Sequence, residues 1–268
     1  MTMKAEPEKK GARGSGYKPI VPAVQQALQL LACLAESPRE TLNLTEICTR
    51  LGIHKSKGYT LLNTLRQFDF IERNDQTKTY SLGLGMLYMA RNIMKNLDIR
   101  TLVLPLLQTL AGRTGSSAHF GLISGGRRFY IVARRDTRED LDYGLREGSH
   151  YHITHGSHGK AIVAFMPQAE REAILAQEYL CFYGDGERVD REVLREELRR
   201  CRETGYAVDP GETNPGMIVI SAPVFKHTGE AAGAVVLTGM FPHAQIGEFG
   251  PWVADTARTI SRKLGYAP

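Results

Sequence analysis

The chain has 268 residues, 42% apolar and 24% charged, with a formal net charge of +5. Those proportions are ordinary for a globular protein, and the length suggests two domains or one large one. No run of about 18 apolar residues occurs, so a transmembrane helix is not expected. The N-terminus lacks the apolar core of a signal peptide, and Cys33, Cys48, Cys181 and Cys201 are scattered without metal or disulfide spacing. A reduced, cytoplasmic protein without membrane contact is the expectation.

Residues 1–19 are rich in Gly, Lys and Pro and read as a disordered tail. Val24, Leu28, Leu31 and Leu34 then recur at helical spacing. The stretch 43–62 is the most informative of the chain. Leu44, Ile47, Cys48 and Leu51 give a first helix its apolar face, Gly52 breaks it, and Ile53 returns to the core. A second helix carries His54, Lys55, Ser56, Lys57, Tyr59 and Thr60 outward, with Leu61, Leu62 and Leu65 inward. This pattern fits a helix-turn-helix, whose second helix lies in the DNA major groove. Lys55 and Lys57 suit phosphates, and Ser56, Tyr59 and Thr60 suit bases or backbone. A solvated helical hairpin would show the same pattern. Residues 68–73 and 79–82 then read as two strands around a polar turn, a β-hairpin. A hairpin directly after a helix-turn-helix makes a winged helix, with Arg73 and Lys78 at the wing beside the DNA backbone. The charge agrees: residues 1–82 hold 12 Lys+Arg against 8 Asp+Glu, the rest 22 against 21. The basic tail adds nonspecific DNA affinity or nothing.

Residues 82–96 form a helical connector, and a second helical run over 97–115 contains Pro105, a new start or a kink. Strands are expected at 117–123, 128–134, 141–146, 217–225 and 231–241, and helices at 169–178, 190–204 and 246–264. Strands with flanking helices in no βαβ repeat suggest a mixed antiparallel sheet of GAF-like type. The fold class is therefore α+β: a winged helix-turn-helix domain (20–82), a linker helix (83–96) and a GAF-like α/β domain (97–268), which the resemblance described next makes effector-binding.

With these residues in view, the chain resembles the IclR family of bacterial transcription regulators. The resemblance rests on VPAVQQALQLLACLAE, LTEICTRLGIHKSKGYTLLNTLRQFDFIER, TKTYSLGLGMLYMA, GSHGKAIVAFMP, and the run of GYAVDPGE, NPGMIVISAPVF and GAVVLTGMF. It implies a regulator that binds double-stranded operator DNA as a homodimer or tetramer and is controlled by a small organic acid. It also implies an effector pocket lined by Tyr143, Gly156, Ser157, Asp209, Met217, Val219, Val236 and Thr238. Gly156 would let backbone amides approach a carboxylate, with a helix beginning near Lys160 adding its positive end. Lys160 would add charge there, or form a structural pair with Asp209 or a nearby carbonyl. Asp209 would accept a hydrogen bond from a ligand hydroxyl, or orient Lys160.

The chain departs from the family pattern. Val219 stands where Cys is common, Ile218 where a charge is frequent, and Val236 at one of two hydroxyl positions, with Thr238 retained at the other. The apolar floor favours an aromatic or branched acid, preferably hydroxylated, over a two-carbon oxo-acid. Gly58 stands where a β-branched residue is usual and Thr60 where Arg is frequent. Gly58 would let the backbone approach DNA closely, or be a tolerated defect.

His150, His152, His155 and His158 crowd nine positions in a spacing that fits no familiar zinc motif. Three roles stay open: a pH-dependent or anion-binding loop at the pocket mouth, surface histidines without a role, or a metal site. No metal or cofactor enters the expectation. The rival class is an enzyme using Asp209, Glu212, His155, His158 and Ser157. It lacks a nucleophile elbow, P-loop, dinucleotide or paired-metal motif.

Overall fold

The computed structural model describes residues 20–37, 39–95, 98–125, 128–136, 145–178, 180–184 and 189–267. The tail 1–19 and Tyr143 lie outside the described residues. The chain divides into two compact units, Met1–Lys95 and Asn96–Pro268.

The first unit is trihelical with a wing. It holds α1 (Pro22–Ala35), β1 (Leu42–Asn43), α2 (Leu44–Leu51), α3 (Lys55–Gln67), β2 (Ile71–Asn74), β3 (Thr79–Leu82) and α4 (Gly85–Lys95). Pro22 sits at the start of α1, where its missing N–H costs nothing. The buried face of α1 is Leu30 and Leu34, with Ala27 and Leu31 beside them; Val24 and Leu28 point to solvent. The stripe is thus displaced from the one the spacing suggested, because only the later turns of α1 meet α2 and α3. Asn43 caps α2 through a reciprocal box: its Oδ1 accepts from the Glu46 amide at 3.0 Å, and Glu46 accepts from the Asn43 amide at 2.8 Å. Gly52 ends α2 at φ 62°, the left-handed conformation that turns the chain into α3. The strands pair antiparallel in the order β1-β3-β2.

The second unit is built on a six-stranded antiparallel sheet, order β6-β5-β4-β9-β8-β7. Its elements are α5 (Asp98–Thr114), β4 (Ser117–Ser124), β5 (Arg128–Arg135), β6 (His150–His152), α6 (Gly156–Ala164), α7 (Gln168–Leu175), α8 (Arg191–Thr204), β7 (Ala207–Asp209), β8 (Ile218–Phe225), β9 (Ala231–Gly239), a 3-10 turn (His243–Gln245) and α9 (Ile246–Lys263). Pro105 lies inside α5 and starts no new helix. The strand expected at 141–146 is not seen: 141–144 lie outside the described residues, and Leu145 and Arg146 are not in a strand. The edge strand is β6 instead.

Register sorts the sheet into two faces, since directly opposed residues share a side. One face carries Ala118, Phe120, Ile218, Ile220, Val235 and Leu237 and packs against α5 and α9 in the largest core. The other carries His119, Ser221, Val236 and Thr238, with Val219 opposite Thr238 and Asp209 opposite Val219. It is covered by α6. The second face is the one with polar groups to place, so it carries the site.

Candidate functional site

In the first unit, His54, Lys55, Ser56, Lys57, Tyr59 and Thr60 are all exposed and form one continuous outward surface at the start of α3. The Thr60 hydroxyl bonds the Ser56 carbonyl at 3.0 Å, so it is partly occupied within its own helix. Gly58 faces the other way. It is buried, and a Cβ there would lie 2.4 Å from Cys48 Sγ. Its lack of a side chain therefore serves the α2–α3 packing and not an approach to a partner. At the wing, the Asn74 side chain accepts from the amides of Gln76 and Thr77 and shapes the turn. Lys78 is exposed at the tip, and Arg73 is half-buried, 3.3 Å from Asp75 and over the Tyr80 ring.

In the second unit, a cavity of about 240 Å³ opens between the sheet and α6. Six of the eight residues expected there line it: Gly156, Ser157, Asp209, Met217, Val219 and Val236. Thr238 does not. It shares the face of Val236, but its hydroxyl is bonded to His119 Nε2 at 3.0 Å, deeper in the sheet. The cavity wall also includes Leu145, Tyr151, His155, His158, Thr213 and Asn214. His155 and His158 belong to the histidine cluster the sequence singled out. Thr213 lies between two resembling blocks and Asn214 opens the second, where no periodicity marks either.

Helix α6 begins at Gly156, a full turn earlier than the expected start near Lys160. Gly156 has φ +53°, where a side chain is strained, so glycine is what lets the chain turn into the helix here. The Gly156 amide donates to the Cys181 carbonyl, and the Gly159 amide to the His155 carbonyl. Helix geometry leaves the Ser157 and His158 amides without a helical acceptor. The cavity thus lies at the positive end of α6.

Lys160 sits beyond that turn, 1% exposed, with Nζ 2.9 Å from Glu197 and 3.0 Å from Glu212 and 4.1 Å from the Tyr183 ring centroid. Its role is structural, but through Glu197 and Glu212 and not through Asp209. Asp209 is occupied elsewhere: its Oδ1 accepts from the amides of Gly211, Glu212 and Thr213 at 3.0, 2.7 and 3.3 Å. It folds the 209–213 loop over the cavity. The Ser157 and Ser221 hydroxyls bond each other at 2.8 Å, pinning α6 to β8.

The histidines divide. His150 is exposed on β6 and His152 bonds Thr154 at 2.8 Å. His155 stacks on Tyr151, and His158 stacks on Phe129 with centroids 4.4 Å apart. Burial pushes His155 below its ordinary pKa against the pull of the Asp209 charge. Burial, reinforced by His155, takes His158 down to about 3. His119 is held near 4 by burial. Among the described residues, no group of three or more His, Cys, Asp or Glu is placed to hold a metal ion.

The family model described as "Bacterial transcriptional regulator IclR C-terminal" matches residues 91–262, and "IclR helix-turn-helix domain" matches residues 23–75. The chain belongs to the IclR family. It is a transcriptional regulator with a helix-turn-helix DNA-binding domain. Among IclR-type relatives, the HTH-type transcriptional regulator XynR of Escherichia coli is 29% identical over 251 residues, covering 92% of this chain and 99% of that one. The glycerol operon regulatory protein of Streptomyces coelicolor is 30% identical over 253 residues, covering 91% and 97%. The fold matches an IclR regulator from Alicyclobacillus acidocaldarius at TM-score 0.77 and 24% identity, covering 92% of this chain and 100% of that one. It also matches an IclR homolog from Microbacterium hydrocarbonoxydans complexed with 4-hydroxybenzoate, at TM-score 0.76 and 18% identity, covering 90% and 98%. XynR, the glycerol operon protein and the Alicyclobacillus structure are all named as regulators.

Proposed function

We propose that this IclR-family regulator is controlled by a small aromatic or branched organic acid bound in the cavity at the start of α6. The observation that carries the reading is the cavity's polarity. At one end lie the first-turn amides of α6 and the Thr213 hydroxyl, a buried oxygen with no hydrogen-bond partner among the described residues. Amides at a helix N-terminus favour a carboxylate. The apolar part of the wall is Leu145, Tyr151, Met217, Val219 and Val236, with His155, His158, Asp209 and Asn214 also lining it. The volume of about 240 Å³ exceeds the roughly 150 Å³ that admits a benzene ring, so one ring with a carboxylate fits. Asp209 keeps the loop in place, and its negative charge steers the carboxylate toward the α6 amides.

On the DNA side, His54, Lys55, Ser56, Lys57, Tyr59 and Thr60 enter the major groove, and Arg73 and Lys78 hold the backbone. Two such units on one duplex read a near-palindrome. The exposed side chains of Leu84, Leu87, Tyr88 and Met89 supply the apolar surface for a second subunit. Ligand binding then shifts operator affinity by its differential free energy for the two states.

Two measurements test this. A thermal-shift screen of small carboxylates against the full chain should raise the melting temperature for aromatic or branched acids, because ligands that bind the folded state stabilise it by mass action. Stabilisation by a two-carbon oxo-acid, with none by any aromatic or branched acid, would overturn the cavity reading. A Lys55→Ala/Lys57→Ala double variant should bind random duplex more weakly, with a log–log salt slope flatter by about 1.8, two phosphate contacts' worth. An unchanged slope would remove these lysines from the interface.

A further inference from the structure

The outward face of α3 extends one turn beyond Thr60. Gly58, Leu62 and Leu65 are the buried side of the helix. At about 100° per residue, Asn63 stands about 140°, 100° and 160° around the axis from them. It falls within about 20° of Ser56, on the side away from the core. Ser56, Tyr59, Thr60 and Asn63 are spaced i, i+3, i+4 and i+7, the spacing by which a helix lying along the major groove meets base edges. Their polar groups are not equally free. The Thr60 hydroxyl spends its proton on the Ser56 carbonyl at 3.0 Å, and the Thr64 hydroxyl on the Thr60 carbonyl at 2.9 Å. Asn63 is half-buried, and its side-chain amide has no hydrogen-bond partner among the described residues.

We propose that Asn63 sets one base of the operator, an adenine read in the major groove through its N6 and N7 atoms. This rests on the placement of α3 in the groove and adds the residue that fixes this position. A carboxamide carries a donor and an acceptor side by side. Adenine alone among the four bases offers the matching pair in the major groove, an N7 acceptor beside an N6 donor. Guanine shows two acceptors, cytosine a donor alone, and thymine an acceptor with a methyl group. A hydroxyl fits donor and acceptor edges alike, so Ser56 and Tyr59 discriminate less sharply. Thr60, its proton spent, is left with an acceptor and a methyl group. Gln67 carries the same carboxamide but is the last residue of α3, outside this spacing. Lys55 and Lys57 then fix where the helix sits on the backbone, and Asn63 reads the base that this position presents.

The test is selection of binding sites for the full chain from a random duplex library. The selected site is then titrated with 7-deazaadenine, which lacks N7, substituted at each adenine in turn. The wild type should give a consensus in which one adenine of each half-site is sensitive, losing about fivefold or more in affinity when N7 is removed. Asn63→Ala should select the same half-site with that one preference lost. Asn63→Asp, which can only accept, should select cytosine there, because its carboxylate meets the cytosine amino group and is repelled by adenine N7. A wild-type consensus with no adenine sensitive to loss of N7 overturns the inference without recourse to either variant. An adenine preference that survives both substitutions also overturns it, because another residue then reads the base. Uniformly weaker binding by Asn63→Ala with an unchanged consensus makes Asn63 a backbone contact, and overturns it too. If the wild type selects no consensus at all, the placement of α3 in the groove fails, and the assignment of Asn63 falls with it.

Discussion

Replacing Lys160 by Met probes the frame behind the cavity. Met keeps most of the apolar stem and removes the ammonium. In the native protein that ammonium lies between Glu197 on α8 and Glu212 in the 209–213 loop, at 2.9 and 3.0 Å. Without it, two carboxylates face each other across a space shielded by the Tyr183 ring. Glu197 keeps one partner, the Tyr183 hydroxyl at 2.6 Å, while Glu212 loses its side-chain cation. Removing one member of a buried ion pair costs about 3–5 kcal/mol. Here the carboxylates retain 28% and 36% exposure and can hydrate in part, so the expected loss is about 2–3 kcal/mol. Trp252 is the only tryptophan and lies on α9, so its fluorescence during urea unfolding reports on the second unit alone. A Lys160→Met/Glu197→Gln/Glu212→Gln variant should recover at least half of the loss, since no unpaired charge remains. A single variant within about 0.5 kcal/mol of wild type, or a triple variant no better than the single, would refute the reasoning.

Two further outcomes are expected. His158 and His119 are held near 3 and 4 in the folded protein, while an unfolded histidine titrates near 6.5. The unfolded chain therefore takes up protons first as pH falls below about 6.5, and stability that is complete above that value declines by about 2 kcal/mol per histidine at pH 5. Trp252-monitored unfolding at pH 8 and pH 5 should show the fall, and His158→Leu should remove about half of it; a flat profile contradicts the burial argument. Gly58→Ala should destabilise the first unit by about 1–3 kcal/mol despite alanine's higher helix propensity, because the new methyl meets Cys48 Sγ. Circular dichroism melts of Gly58→Ala and Gly58→Ala/Cys48→Ala check this: the double variant should be the more stable, and equal melts would exclude the contact as the cause.

The first unit was largely legible in the sequence because its elements announce themselves locally. Gly52 follows an apolar run, and Phe70-Ile71 and Tyr80 flank a polar turn, whereas the Asn43–Glu46 capping box emerged only with the structure. Helical periodicity fixes that α1 exists but not which turns are covered, and Val24 and Leu28 proved exposed for that reason. In the second unit the long strands β4, β5, β8 and β9 were readable from apolar runs bounded by turn residues. The short edge strands β6 and β7 were not, since three residues carry no usable period and their pairing partners are remote. The cavity was readable where a residue type matters by itself, as with Gly156 and its positive φ. It was not readable where role depends on a partner. Lys160 could as well have met Asp209 as Glu197 and Glu212, because nothing in the spacing places α8 beside α6. Thr238 carries a hydroxyl on the expected face, yet His119, 119 positions away, takes it.

These partners also explain why the cavity can be selective while its floor is apolar. Ser157 is tied to Ser221 on β8, Lys160 ties α6 to Glu212, and the Glu212 amide is tied to Asp209. The helix that supplies amide donors and the loop that carries Thr213 are thus cross-linked within about one helical turn of the cavity, and neither must be ordered when a ligand arrives. Affinity gained by such preorganisation comes from avoided ordering, not from additional contacts. The polar atoms that hold the frame are all engaged with one another. His158 Nε2 and Thr213 Oγ1, on residues that line the cavity, have no hydrogen-bond partner among the described residues. A buried polar atom without a partner costs folding free energy. Two such atoms belong to residues that line one small cavity, so a frame in which Ser157, Lys160 and Asp209 are engaged still leaves unpaired polar groups beside the place a ligand would occupy.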